Sequence, residues 1–307
     1  MRLPRLAWLT LGWNVAVILW GAFVRASGSG AGCGAHWPLC NGEIVPRAPA
    51  VATLVELTHR LTSGVALLLV FYLAYRVFRE RPAGHPGRRA AALCVVFILS
   101  EAAVGAGLVL FRLVADTESV ARALFMSVHL MNTFVLLACL TLTAHFTTAD
   151  ARPTLAARRA WPFAVAAVAL LLVGASGAIA ALGDTLYPAT SLLGGIRAEL
   201  SSTASLLVRL RLAHPVLALA GAAAVAYAAL PALRGSTDTP SKRAAQAVAG
   251  LVVVQLVAGL VNVALLAPVW LQIVHLLLAD LVWIVFVLLA ARYLTIDISL
   301  SRTGSRE

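Results

Sequence analysis

Charged residues are scarce in this chain. Asp, Glu, Lys and Arg make up 12% of its 307 residues, whereas soluble domains average about 25%. Hydrophobic residues make up 61% of the sequence, and the mean hydropathy is +0.91. Too few charges are available to cover a surface that faces water. The composition therefore excludes an ordinary soluble domain and predicts a protein whose solvent is lipid.

A cleavable leader signature is also missing. The first apolar run is followed by Arg25 and a loop rich in Gly and Ser, not by a small-residue cleavage site. We therefore expect the first run to be retained as a transmembrane helix.

The apolar residues are grouped into eight long runs, and one span needs about 20 such residues. The runs are continuous and lack the alternating pattern of barrel strands. The sequence therefore predicts an all-α membrane protein with eight transmembrane helices. Little more than Pro268 separates the last two runs, which predicts a tight helical hairpin. The runs cover 7–24, 56–78, 90–111, 122–146, 161–182, 206–230, 244–267 and 270–294.

The net charge of +11 is unevenly distributed. If the N-terminus is inside and the helices alternate, 16 Lys and Arg residues but only 5 acids lie on the inner side, against 8 of each outside. This bias predicts cytoplasmic termini in a plasma (inner) membrane, and it argues against a nucleic-acid interface. The inner residues are Arg2, Arg5, Arg76, Arg79, Arg81, Arg88, Arg89, Arg152, Arg158, Arg159, Arg234, Lys242, Arg243, Arg292, Arg302 and Arg306.

Four cysteines are present, and they fall into two classes. Cys94 and Cys139 lie inside apolar runs, where we expect them to be small buried hydrophobic residues. Cys33 and Cys40 lie in the first outer loop, 25–55, in an oxidising compartment where a disulfide can persist.

The two halves of the sequence resemble each other. Three short matches are collinear, with offsets of 149, 154 and 146 residues, which predicts a tandem duplication. We therefore expect two four-helix bundles, 1–150 and 151–307, related by a pseudo-twofold axis along the membrane normal. The matches pair Val24–Gly28 with Val173–Gly177, Glu101-x-x-x-Gly105 with Gln255-x-x-x-Gly259, and Val128–Leu130 with Val274–Leu276.

Four histidines occupy equivalent places near the starts of the even-numbered helices: His59, His129, His214 and His275. All four should form one layer near the outer face. Two imidazoles on neighbouring helices of a four-helix bundle are what a haem iron needs, so each half could hold one porphyrin. Zinc is the competing metal, but the second half has no Glu or Cys beside its pair, which favours haem there.

A carboxylate makes the two halves unequal. Glu56 lies three residues before His59, on the same helical face, whereas Arg211 takes its place in the second half. A site that only holds a cofactor does not need this group, so Glu56 predicts proton-coupled chemistry in the first half. Candidate partners for outward-pointing porphyrin propionates are Arg25, Arg60, Arg209 and Arg211.

Three motifs resemble the haem A synthase family. They are Arg25–Cys33 (RASGSGAGC), Trp37–Gly42 (WPLCNG) and Glu56–Arg60 (ELTHR). Together with the eight runs and the histidine layer, the resemblance covers essentially the whole chain. It implies an oxidoreductase of haem biosynthesis that converts a methyl group of haem O to the formyl group of haem A by successive hydroxylations, for terminal oxidases.

The resemblance also assigns roles to residues. It implies that His214 and His275 ligate a haem b cofactor, that His59 and His129 flank the substrate haem, and that Glu56 assists the oxidation. Cys33 and Cys40 would form a disulfide in the loop over the substrate. It further implies an electron acceptor and, as partners, the haem O-producing farnesyltransferase and oxidase assembly factors. Two features depart from the family: Gly34–His36 between the cysteines, and a second long outer loop, 183–205, without cysteines.

Other functions stay open from the residues. The chain could be a bis-haem cytochrome that passes electrons from quinol, although Glu56 and the unequal halves argue against it. A membrane thiol oxidoreductase using Cys33 and Cys40 would leave the histidines unexplained. A transporter is disfavoured because the repeats would be parallel and no span is expected to be broken.

Overall fold

The computed structural model describes residues 1–148, 151–153, 157–235 and 239–297. Within these ranges the regular secondary structure is helical apart from one pair of three-residue strands, and loops connect the helices. Eight helical spans are long and apolar enough to cross a membrane, as the sequence predicts. Arg302 and Arg306 of the charge count lie outside the described residues.

Helices form here because lipid offers no hydrogen-bond partner to a free backbone group. In chain order they are α1 Leu3–Ala26, α2 Val51–Glu80, α3 Pro86–Leu110, α4 Val120–Thr148, α5 Ala157–Leu186, α6 Leu192–Leu200, α7 Leu206–Leu210, α8 Ala213–Gly235, α9 Thr239–Ala264 and α10 Val269–Tyr293. A 3₁₀ turn covers Ser29–Ala31, and β1 Ala151–Pro153 pairs antiparallel with β2 Thr295–Asp297.

The sixth span, Leu206–Arg234, contains a two-residue turn near its start. It comprises α7 and α8, which a turn at Arg211 and Leu212 separates. Pro215 explains the break, because it has no N–H and its ring crowds the carbonyl four residues earlier. The chain tightens instead into a bond from the His214 N–H to the Arg211 carbonyl, three residues back (3.1 Å).

The second outer loop is also more ordered than expected. α5 continues to Leu186, and 192–200 forms the short, mostly exposed helix α6. The Ser191 hydroxyl caps α6 by accepting a hydrogen bond from the Gly194 N–H (3.2 Å). The predicted hairpin near Pro268 is present, since only 265–268 separate α9 from α10.

Two closed rings of four helices make up the bundle. In the first half, α1 packs on α2, α2 on α3, α3 on α4, and α4 back on α1. In the second, α5 packs on α8, α8 on α9, α9 on α10, and α10 back on α5. Contacts of α4 with α5 and α10, and of α1 with α10, join the rings, so the middle of the molecule is built from these four helices.

The tightly packed core lies at one end of the bundle. Its buried members come from the first parts of α1, α3, α5 and α9 and from the later parts of α2, α4, α8 and α10. The four histidines lie at the opposite end, before the core residues of their own helices. The largest apolar core therefore holds the helices together at one end, and a smaller buried cluster of Ala123, Leu182 and Leu207 packs α4, α5 and α7 together at the histidine end. Representative core residues are Leu6, Val77, Cys94, Leu140, Ala166, Ala232, Val248 and Leu289.

Trp283 joins the two rings inside this core. Its indole N–H donates to the Phe134 carbonyl (2.6 Å), and its ring stacks on Phe134 with centroids 5.7 Å apart. The contact connects α10 to α4, so both the hydrogen bond and the ring area hold the halves together.

We expect Trp283→Ala to destabilise the folded chain by about 3–5 kcal/mol, because it removes a large buried ring and leaves a cavity. The measurement is thermal or denaturant unfolding in detergent. Trp270→Ala is the matched control on the same helix, since Trp270 is 60% exposed. Equal losses in the two variants would show that the contact does not hold the halves together.

Candidate functional site

Each of the four histidines packs against a glycine of an earlier helix. A Cβ added to the glycine would lie 2.9 Å from Cε1 of His59, 3.1 Å from that of His214 and 3.0 Å from that of His275. At His129 the nearest ring atom would be 3.8 Å away, an ordinary contact. A larger residue would therefore displace the imidazole in three of the four places. The glycines are Gly21 in α1, Gly105 in α3, Gly177 in α5 and Gly259 in α9.

The structure brings His214 and His275 together. Their ring centroids are 6.4 Å apart and the ring planes are nearly perpendicular, at 86°. An iron about 2 Å from one nitrogen of each ring would separate the two ring centres by roughly 6 Å. The spacing of the two imidazoles therefore fits a bis-histidine haem iron.

Neighbouring polar groups orient the two rings. The Ser176 hydroxyl lies 3.0 Å from Nδ1 of His214, which leaves Nε2 of that ring for a ligand. The Gln255 amide nitrogen lies 3.3 Å from Nε2 of His275, while Nδ1 of His275 is buried without a hydrogen-bond partner among the described residues. A buried nitrogen without a partner is a donor that a metal can satisfy.

His59 and His129 are the second predicted pair. They lie on α2 and α4 of the first ring of helices, at the same end of the bundle as His214 and His275. Nδ1 of His129 lies 3.1 Å from a carboxylate oxygen of Glu101. Nδ1 of His59 is buried and has no hydrogen-bond partner within the described part of the chain. Glu101 thus orients His129 and leaves its Nε2 for a ligand.

Glu101 is the site residue that sequence reasoning missed. The repeat comparison paired it with Gln255 without giving either residue a role. A further signal was available, because Asn132 and Thr133 follow His129 by three and four residues and so share its helical face. Both side chains contact the Glu101 carboxylate, at 2.5 Å each.

Glu56 is buried, with 3% of its surface exposed. One carboxylate oxygen accepts the Cys33 N–H (2.8 Å), and the other forms an ion pair with Arg60. Arg60 also donates to the carbonyls of His36 and Leu39, at 2.6 and 2.7 Å. The acid predicted to act on the substrate therefore contacts the loop above it and also connects that loop to α2.

The loop contains the Cys33–Cys40 disulfide, as predicted. The Thr53 hydroxyl and the Asn41 amide both donate to the Gly32 carbonyl, at 2.8 and 3.1 Å. A Cβ on Gly32 would overlap the backbone of Ala52 at the start of α2. Glycine at this position lets the disulfide loop lie directly on the helix that carries Glu56.

Three of the four outer arginines already contact protein groups. Arg25 donates to the Ala181 carbonyl (2.7 Å), the Thr185 hydroxyl (2.6 Å) and the Gln272 amide oxygen (2.8 Å), and so joins the two halves. Arg60 forms an ion pair with Glu56 and donates to two carbonyls of the disulfide loop. Arg211 donates to the carbonyls of Gly183 and Tyr187 and faces two acids, and Arg209 is exposed.

Other candidate groups lie apart from the histidines. Cys94 and Cys139 are free and buried, as expected. Asp280 is fully buried, and neither of its carboxylate oxygens has a hydrogen-bond partner in the described ranges. No group of three or more His, Cys, Asp and Glu side chains that could hold a bare metal ion occurs among the described residues. A haem iron takes only two axial protein ligands, so the spacing of His214 and His275 is enough for one such iron.

The chain was compared with known protein families. The model of the COX15-CtaA family, described as cytochrome oxidase assembly protein, matches residues 4–287. The chain belongs to this family. The matched residues include all four histidines and the disulfide loop, so the match extends over both rings of helices.

Individual relatives carry two different names. A "Protoheme IX farnesyltransferase" of Thermus thermophilus is 48% identical over 291 residues, which is 94% of this chain and 48% of that protein. A "Heme A synthase" of Halalkalibacterium halodurans is 41% identical over 97 residues, 32% of this chain and 33% of that protein. One of Bacillus mycoides is 42% identical over 97 residues, 32% of this chain and 31% of that protein. The chain thus spans about half of the Thermus relative and about a third of the other two.

We expect Gly32→Ala to lift the disulfide loop from α2, because the added methyl group overlaps the Ala52 backbone. The measurement is the rate of limited proteolysis within 33–49, which should rise severalfold. Gly30→Ala is the matched control, since its Cβ would only touch Val114 at 3.5 Å. Equal protection in both variants would contradict the docked position of the loop.

Proposed function

We propose that this member of the family is a haem A synthase, which oxidises a methyl group of haem O to a formyl group by successive hydroxylations. The observation that carries the proposal is the presence of two unlike histidine pairs at one end of the bundle. The family match and the relatives named heme A synthase support it. The substrate and the product are part of the proposal, because those relatives match only about a third of this chain.

We further propose that 1–150 and 151–307 are tandem, pseudo-symmetric halves. The two rings of helices have the same order of neighbours. Gly21 and His59 in the first half correspond to Gly177 and His214 in the second, and the remaining glycine and histidine of each half correspond likewise. The same shift of about 150 residues relates the sequence matches.

In this proposal the C-terminal pair, His214 and His275, holds a haem b cofactor. The centroid spacing of 6.4 Å and the Ser176 contact to His214 support this assignment. The haem would supply one-electron redox chemistry. The protein's part is to hold both imidazoles in fixed orientations in an apolar slot between α8 and α10.

The N-terminal pair, His59 and His129, presents the substrate haem O. The first half has Glu56 and Glu101 where the second half has Arg211 and Gln255. A half that performs chemistry on a bound porphyrin needs a group that can accept protons as C–H bonds are lost. A half that only holds a cofactor has no such need.

Glu56 is the proposed catalytic residue, with the role of proton acceptor. The Cys33 N–H and Arg60 hold its carboxylate in place, so the disulfide loop and the acid form one unit. Loop 25–55 would thereby close over the substrate and exclude water from it. Arg209 is the candidate partner for propionates, because its side chain is exposed and forms no hydrogen bond or ion pair with the described residues.

The inward charge bias supports a plasma (inner) membrane orientation with both termini in the cytoplasm and the histidine end outside. Haem O is then taken up from the membrane, and the farnesyltransferase that produces it and the oxidase assembly factors that receive haem A are the proposed partners. Each hydroxylation replaces a C–H bond with a C–O bond, so the reaction also requires an oxygen donor such as water and an acceptor for the two electrons removed.

Two alternatives have specific support. A bis-haem cytochrome would use the same histidine pairs without altering either porphyrin. Farnesyl transfer to protohaem is suggested by the name of the Thermus relative, which is a protein about twice as long as this chain. A third function, a thiol oxidoreductase acting through Cys33 and Cys40, would require the disulfide to be reduced and reoxidised during turnover, and neither of the other two does.

The test is mass analysis of haem extracted from cells that make the chain together with haem O. We expect haem A, accompanied by the hydroxylated intermediate. Glu56→Gln keeps an oxygen to accept the Cys33 N–H but cannot accept a proton at neutral pH, so conversion should fall at least about 100-fold while bound haem is retained.

The outcomes separate the functions. Unchanged haem O in cells with the intact chain would contradict haem A synthesis and favour the cytochrome. Conversion of protohaem to haem O, with farnesyl diphosphate supplied, would favour the transferase. Normal conversion by Glu56→Gln would remove the acid's proposed role, and loss of all haem would show that the acid is structural.

A second test concerns the cofactor pair. Gly259→Ala places a methyl group 3.0 Å from the His275 ring, which should displace the ring and reduce the low-spin bis-histidine absorption of the purified protein. Gly105→Ala is the matched control in the other half, because its added methyl group would lie 3.8 Å from His129. An unchanged spectrum in Gly259→Ala would contradict the assignment of His275 as a ligand.

A further inference from the structure

Hydrogen bonds from Asn132 and Thr133 hold the Glu101 carboxylate in close charge contact with His129. One carboxylate oxygen lies 3.1 Å from Nδ1 of His129 and 2.5 Å from the Thr133 hydroxyl. The other accepts the Asn132 amide N–H at 2.5 Å. Asn132 is itself held by the Phe97 carbonyl (3.0 Å) and by the Ser100 hydroxyl (2.6 Å). The carboxylate therefore has a fixed position and orientation.

The second half lacks this network at the equivalent positions. Gln255 stands where Glu101 stands in the repeat, so a neutral amide replaces the carboxylate. Three and four residues after His275 are Leu278 and Ala279, in place of Asn132 and Thr133. The amide oxygen of Gln255 is buried without a hydrogen-bond partner among the described residues. The two halves thus differ in a whole set of side chains.

The position of the carboxylate determines what His129 can do. A neutral imidazole carries one proton, and a carboxylate at Nδ1 keeps that proton on Nδ1. Nε2 then keeps its lone pair for a metal. A carboxylate in this position also raises the basicity of the ring, so the ring becomes a stronger donor to a bound iron. An amide facing the other histidine has no charge with which to do this.

We infer that Glu101 is a positioning residue for the haem bound at His129: it fixes the imidazole and makes this ligand more electron-rich than His275. The inference rests on the proposed function in taking the first half as the substrate half. Stronger donation stabilises the oxidised iron more than the reduced iron. The haem in the first half therefore has a lower reduction potential than its histidine ligand alone would give it.

The consequence is a difference in reduction potential between two haems that share the same histidine ligands. The charged member of this set is Glu101, with Gln255 in its place in the second half, so exchanging these two residues should alter each haem separately. If Glu101 served only to hydrogen-bond α3 to α4, replacing it would change the stability of the protein and leave both reduction potentials unchanged.

The test is an anaerobic optical redox titration of the purified full chain with its haem and with added haem O. In Glu101→Gln we expect the equilibrium ratio of oxidised to reduced haem O iron to fall about tenfold at a given potential. This corresponds to a rise of about 59 mV in its reduction potential. The haem b component should not move. Gln255→Glu is the matched reverse variant, and it should lower the haem b component alone.

Some outcomes would overturn the inference. They are an unchanged haem O potential in Glu101→Gln, or a shift confined to haem b. If Glu101→Gln takes up no haem O, the titration is made with Glu101→Asp, which keeps a carboxylate. Recovery of haem O binding in Glu101→Asp supports the inference, and failure to recover it overturns the inference.

The titration needs no turnover, which separates this inference from the proposed function. A protein that shows the potential shift but never forms haem A contradicts the proposed function and supports the role of Glu101. Formation of haem A together with an unshifted potential in Glu101→Gln supports the proposed function and contradicts the role of Glu101.

Discussion

The large apolar core at one end of the bundle is the constraint on which the rest of the structure depends. Apolar side chains from all eight spans interlock there, and Trp283 ties the two rings of helices together inside this core. At the other end the helices are free to hold imidazoles, acids and amides between them.

Glycines set the geometry at the open end. Without a Cβ on Gly21, Gly177 or Gly259, an imidazole can lie directly against the backbone of the neighbouring helix. The ring is thus placed by sterics on one side and by a polar partner on the other. The proposed difference between the halves comes from that partner: Ser176 and Gln255 are neutral, whereas Glu101 carries a charge. One scaffold can therefore offer a holding site and a reacting site with the same ligand type.

The disulfide loop belongs to the same scheme. Cys33 donates its N–H to Glu56, and Arg60 connects that acid to the loop carbonyls. The loop is therefore positioned by the residue proposed to act on the substrate, and the acid by the loop. Arg25 links the end of α1 to α5 and α10 near the same level. These contacts join the outer ends of the two halves, where the inner core does not reach.

The eight spans could be predicted from the sequence, because they depend on composition and on the length of the apolar runs. The Cys33–Cys40 disulfide was predicted by the resemblance to the haem A synthase family. Glu101 and the break at Arg211 could not be predicted as readily. A carboxylate 28 residues from His129 along the chain becomes its neighbour only when α3 packs on α4, and Pro215 bends one helix locally. The sequence by itself determined which groups are present and at which end; only the tertiary structure decided which carboxylate meets which imidazole, since that depends on how helices rotate as they pack.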